Sequence, residues 1–94
     1  MVIVVSTWQV PDFDRWKRAF DAGMARSERS GLLAYRVCRA FDEADEILLE
    51  FEFDTHDHAI AWMAHADEAW LAHAGLDVYP PMFVGEPIED FRTP

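Results

Sequence analysis

The chain is poor in cysteine, in glycine and, over its second half, in positive charge. Cys38 is the single cysteine among 94 residues, which excludes an intrachain disulfide framework and leaves no CxxC or Cys/His zinc spacing. That usage is compatible with a reducing compartment. No apolar run is long enough to span a bilayer. The apolar opening, MVIVVSTWQV, lacks the basic segment and small-residue cleavage site of a secretory leader, so it is expected to be folded structure. Beyond residue 41 the only base is Arg92 against fourteen acids (net −13), whereas residues 1 to 41 carry seven bases and four acids (net +3), giving −10 overall. A chain of this charge repels phosphate backbones and anionic lipid, which argues against nucleic acid and membrane as partners and fits a cytoplasmic protein.

Apolar matter is abundant instead. The composition is 51% hydrophobic and 14% aromatic, with four Trp and seven Phe, which excludes a disordered chain. The length suits one domain over residues 1–94 with a thin margin of stability, so association with a second copy would help it.

Residues 2–10, VIVVSTWQV, are β-branched and aromatic and stop at Pro11, which predicts a first strand. Asp12 then serves as N-cap for a helix to about Ser30, with Phe13, Trp16, Phe20 and Met24 on one side and Gly31 as its stop. Residues 32–41 and 46–53 read as an antiparallel hairpin around a four-residue loop, Asp42 to Asp45. In the second of these strands Ile47, Leu49, Phe51 and Phe53 alternate with Glu46, Leu48, Glu50 and Glu52, as in a sheet covered on one face. Asp54 or Thr55 caps a second helix to about Ala74, stopped by Gly75 and kinked near Ala66. A last strand, 82–90, is weakened by Gly85 and Pro87 and is expected at an edge or a bulge. The order β-α-β-β-α-β is the ferredoxin-like α+β pattern: a four-stranded antiparallel sheet with two helices on one face. Its other face is half apolar, and a second copy of the chain is the economical cover.

Two groups of residues could carry chemistry. His56, His58, His65 and His73 all lie in or just before the second helix. His58, His65 and His73 share its flank with Trp62, but at about 10–12 Å spacing they are too far apart to share a metal. A histidine there can act as general base or acid, and His65 comes first because it neighbours the turn that carries Trp62. The hairpin supplies Tyr35, Arg36, Arg39, Glu50 and Glu52. Pairing Phe41 with Glu46 sets Tyr35 opposite Glu52 and Arg39 opposite Leu48, and a one-residue slip sets Arg36 opposite Glu52. Either register brings an Arg near a Glu, as a tuned site or as cross-strand ion pairs.

Several segments together carry a resemblance: Asp12-Phe13-Asp14-Arg15-Trp16-Lys17, Gly31-Leu32 leading to Arg36-Val37-Cys38-Arg39, Glu52-Phe53-Asp54, and His73-Ala74-Gly75. Over about nine-tenths of its length the chain resembles the dimeric α/β-barrel proteins grouped with antibiotic-biosynthesis monooxygenases, small polyketide cyclases and haem-degrading monooxygenases. The resemblance implies a homodimer whose subunits each hold a pocket between sheet and helices. Many monooxygenase members look like Glu-x-Trp near the end of the third strand followed by a helix-two His; here Phe51, Phe53 and Trp62 take those places. It implies a metal-free and cofactor-free enzyme acting on a small aromatic or polyketide-like compound. His65, Tyr35 and Trp62 are the catalytic candidates, and Trp70, Phe53, Trp16, Met63 and Arg39 would contact substrate. Oxygenation, cyclisation or isomerisation by proton transfer alone, and non-catalytic ligand binding all remain open. Haem-degrading members resemble this chain in Trp62 and His73, but have an Asn in strand one where Thr7 stands here.

Overall fold

The computed structural model describes residues 1–26, 30–64 and 80–94. Within them, β1 (Val2–Gln9), α1 (Phe13–Arg26), β2 (Leu32–Arg39), β3 (Glu46–Phe53), α2 (His56–Met63) and β4 (Phe83–Gly85) follow in the expected order. The four strands form one sheet in the order β2-β3-β1-β4, antiparallel at every pairing, which is the ferredoxin-like arrangement.

Period-two alternation divides the sheet into two faces. Val2, Val4, Ser6 and Trp8 of β1 and Ile47, Leu49, Phe51 and Phe53 of β3 are buried beneath the helices. On the other, open face stand Ile3, Val5 and Thr7 of β1 and Glu46, Leu48, Glu50 and Glu52 of β3, none of them fully buried. Ser6, the one buried polar side chain among the described residues, accepts a hydrogen bond from Trp8 Nε1 at 2.9 Å.

Asp12 caps α1 as its position suggests: its Oδ1 accepts from the Arg15 amide at 3.2 Å and its carbonyl accepts from the Trp16 amide at 3.0 Å. The helix buries Trp16, Phe20 and Met24 at four-residue steps against the sheet. Thr55, not Asp54, caps α2, its hydroxyl accepting from the His58 amide at 3.2 Å. The helix as described ends at Met63 with Ala64 as C-cap; the expected continuation to Ala74, its Gly75 stop and the kink near Ala66 lie outside the described residues.

Three expectations are corrected. The hairpin loop is longer than four residues, because the Ala40 amide donates to the Glu46 carbonyl at 3.0 Å and the Glu46 amide turns to the Glu43 carbonyl at 3.1 Å, leaving Phe41 outside the ladder. The register therefore sets Tyr35 opposite Phe51, Arg39 opposite Ile47 and Arg36 opposite Glu50. Finally, β4 covers only Phe83–Gly85 of the expected 82–90, since Pro87 has no amide to donate. It lies at the sheet edge beside β1, where that proline had placed it.

Gly31 has φ +78°, a left-handed conformation that favours glycine. Its carbonyl accepts from the Asp54 amide at 2.9 Å, and a Cβ there would run into the Asp54 carboxylate and the His58 ring. Gly31→Ala should lower the urea midpoint by the equivalent of about 2 kcal/mol or more, with the m-value unchanged, in equilibrium unfolding followed by circular dichroism.

Candidate functional site

Between sheet and helices the described side chains form a continuous aromatic layer. Trp16 meets Trp8 at 6.0 Å between ring centroids and stacks on Phe20 at 5.2 Å. Phe20 leads to Phe51 at 6.4 Å, and Phe51 meets Trp62 at 4.4 Å. Phe53 closes on Trp62 from the other side at 5.7 Å. Such contacts combine large apolar burial with the edge and offset geometries that aromatic rings prefer.

The register correction decides where Tyr35 lies. Opposite Phe51 it belongs to the helix-covered face, and its ring packs 5.7 Å from Phe20 and 5.9 Å from Phe51. It remains 42% exposed because β2 is an edge strand, whereas Trp62 is only 5% exposed. Tyr35 and Trp62 thus flank Phe51, one at the rim of the layer and one inside it.

The other proposed contacts divide. Trp16 and Phe53 are fully buried in this layer, and Met63 packs against it partly buried. Arg39 lies away from Tyr35 and Trp62, its guanidinium 4.2 Å over the Phe13 ring at the start of α1. His65, Trp70 and His73 lie outside the described residues. The indole Nε1 of Trp16 is buried with no hydrogen-bond partner among the described residues. A buried donor left unpaired costs about 1–3 kcal/mol, so this position has unused capacity for an acceptor. Sequence reasoning named Trp16 for its ring and missed this group; its only sequence signal is a tryptophan in the middle of a buried helix stripe.

His58 has a partner that spacing alone did not single out. Its Nδ1 lies 2.7 Å from Asp54 Oδ1, both side chains being partly exposed, and the pair ties the β3–α2 corner to Gly31. The hydrogen bond to His58 holds the Asp54 carboxyl below its ordinary value. On the open face, Arg36 donates to Glu50 Oε1 at 3.0 Å, and that carboxylate raises the Arg36 pKa further. Two clefts open on this face: one of about 510 Å³ over Arg36, Glu50 and Glu52, and one of about 380 Å³ near Thr7, Cys38 and Leu48. No group of three or more potential metal ligands occurs among the described residues, and no described helix is long and apolar enough to cross a membrane.

Comparison with solved structures follows this geometry closely. A protein of Deinococcus radiodurans provisionally described as an antibiotic biosynthesis monooxygenase superposes with a TM-score of 0.73 over 99% of this chain and 98% of its own, at 17% identity. A counterpart from Chloroflexus aurantiacus with the same provisional description gives 0.62 over 97% and 96%, at 16% identity. A MhuD mutant solved with two manganese protoporphyrin IX molecules per active site gives 0.63 over 99% and 100%, at 19% identity. No family model matches the sequence, and no curated protein matches it. At these identities the likeness establishes a shared fold, that of the ferredoxin-like antibiotic-biosynthesis-monooxygenase proteins.

The Asp54–His58 pair has a pH signature. Because the native carboxyl titrates below its ordinary value, the folded state binds fewer protons than the unfolded one between the two values. Its contribution is complete above the ordinary carboxylate range and is lost as pH falls through the lowered native value. Asp54→Asn should therefore be less stable than the parent at pH 6, with the gap closing below about pH 3.8, in urea titrations at each pH.

Proposed function

We propose that residues 1–94 form one domain that works as a cytoplasmic homodimer and oxygenates a small aromatic or polyketide-like compound without metal or organic cofactor. The observation that carries this reading is the aromatic layer from Trp16 to Trp62 with the half-exposed Tyr35 ring at its rim. Flat apolar walls with a few polar groups are how small-molecule sites are built. The Trp16 indole, which has no hydrogen-bond partner among the described residues, supports it as a donor for a carbonyl or phenol oxygen. The fold shared with provisionally described monooxygenases supports the reaction class.

In this reading His65 or Tyr35 takes a proton from an activated C–H of the substrate, and Trp62 stacks beside the resulting carbanion. The carbanion donates electrons to dioxygen and a C–O bond forms. The hydroperoxide then loses water to leave a ketone, so a methylene and one dioxygen become a carbonyl and one water. Phe53 and Met63 would hold the substrate's apolar edge, with Trp70 completing the wall. Arg39, engaged with Phe13, would orient substrate only from the far end of the layer.

The runner-up is a cyclase or isomerase that uses the same proton transfers and obtains its rate from holding a reactive conformer. A dimer that binds ligand without turnover is the reading outside enzymes. Haem chemistry fits the described residues poorly, although MhuD shares the fold. Thr7, which stands where haem-degrading members have Asn, is exposed on the open face, and the layer near Trp62 is filled by protein rings.

Turnover of an anthrone or quinol, followed by mass spectrometry, should occur under air and stop under argon. Unchanged turnover under argon would sink the oxygenase reading in favour of the cyclase. Tyr35→Phe and His65→Ala should each lower kcat, the true base by about 100-fold or more. Ligand-induced thermal shifts with no product would favour the binding protein. Haemin titration should give no saturable Soret shift.

A further inference from the structure

The helices cover the sheet unevenly. On their side of β3, Ile47, Leu49 and Phe51 are buried, whereas the residues opposite them on β2, Arg39, Val37 and Tyr35, are not. These three side chains form a ledge along the edge strand, bordered by α1. Phe20 meets Tyr35 at one end of the ledge, and at the other the Arg39 guanidinium lies 4.2 Å over the Phe13 ring. Lys17 follows Phe13 by about one helical turn, with its ammonium 5.8 Å from the Phe20 ring. Lys17 is paired with Asp21, but Arg39 is exposed and has no carboxylate partner among the described residues, although Asp42 and Glu46 border the cleft beside it. Stacking occupies the face of a guanidinium and leaves the fork of donors at its edge unused.

We infer that this ledge selects an anionic substrate: a fused-ring carboxylic acid lies along Val37, with its carboxylate in the Arg39 fork and its far ring at Tyr35. The inference rests on the small aromatic compound proposed above, and adds the charge that compound carries and the residue that reads it. Length is the first argument. Tyr35 and Arg39 are four residues apart on one face of a strand, so their backbones stand about 13 Å apart, a span that a fused-ring acid fills and a single ring does not. Charge is the second. Residues 42–94 are net −13 and repel an anion, whereas residues 1–41, which supply α1 and β2, carry seven bases against four acids. An anion is therefore drawn to the α1–β2 side of the molecule. Fit is the third. The fork matches a carboxylate with two parallel hydrogen bonds, and the contact with Phe13 holds Arg39 in place beforehand, so less side-chain freedom is lost on binding. A neutral molecule of the same shape gains the ring contacts without the ion pair. With the acid group at Arg39, the opposite end of the substrate comes to Tyr35, the candidate base.

The test is isothermal titration calorimetry of the full chain with naphthoate and with its neutral isostere, naphthamide, at neutral pH. The parent should bind the acid about tenfold more tightly than the amide, the size of one hydrogen-bonded ion pair. Arg39→Gln should lose that preference while holding the amide as the parent does. Arg36→Gln, on the other face of the same strand, should leave both affinities unchanged. Acid and amide bound equally by the parent would overturn the anion site and leave the aromatic reading standing. A preference that Arg39→Gln keeps, or that Arg36→Gln removes, would do the same. A parent that binds neither compound at millimolar concentration would overturn both. If Arg39→Gln fails to fold, salt decides: the parent's preference for the acid should shrink as salt screens an exposed pair, and a preference that high salt leaves unchanged counts against the site.

Discussion

The backbone bond from the Ala40 amide to the Glu46 carbonyl fixes the β2–β3 register, and the rest of the sheet's chemistry hangs on it. A strand has a period of two, so a slip of one residue would move every β2 side chain to the other face. With this register Tyr35, Val37 and Arg39 pair with Phe51, Leu49 and Ile47 and belong to the helix side. Ala34, Arg36 and Cys38 pair with Glu52, Glu50 and Leu48 and belong to the open side. The Arg36–Glu50 ion pair and the Tyr35–Phe51 ring contact are thus two consequences of one hydrogen bond. The ion pair is exposed and adds little stability on its own, whereas the apolar alternation of β3 beneath the helices supports the register that the backbone bond sets.

That alternation also explains why core and candidate site are built from the same residues. A chain this short has room for one interior, and here aromatic rings fill it from Trp8 to Trp62. Rings resist collapse when a neighbour is displaced, since each has few rotamers and a rigid plane. A buried Trp16 donor with no partner among the described residues carries an energetic cost there that an apolar side chain of like size would avoid.

Much of the fold was legible in the sequence for definite reasons. Asp12 announced α1, the alternation over Ile47 to Phe53 announced a one-sided sheet, and Pro87 announced an edge strand. The register was not legible, because it depends on how the turn around Glu43 spends its backbone amides, and several turn geometries suit Asp42 to Asp45 equally well. Tyr35 was named as a candidate, but its opposite residue and its face followed from that hidden bond. The Asp54–His58 pair sits at i, i+4 across a helix start and could have been read from spacing. What obscured it was the histidine periodicity further along the helix, together with the unknown conformation of Asp54 ahead of the Thr55 cap.

The edges of the sheet bear on how the chain can associate at all. An open antiparallel sheet offers two edges as well as a face, and edge pairing is the usual hazard. Here β4 is three residues long and is followed at once by Glu86 and Pro87, which deny a partner strand a continuous ladder. The outer edge of β2 is interrupted by the irregularity between Leu32 and Ala34, and further along it carries Arg36 and Arg39. Face-to-face contact is left as the route by which the apolar groups of the open side can escape water. Glu46, Glu50, Glu52 and Asp90 outnumber Arg36 and Arg92 on that side, so Coulomb forces oppose the meeting of two copies. Any association through that face would have to gain enough from apolar burial to outweigh this like-charge repulsion.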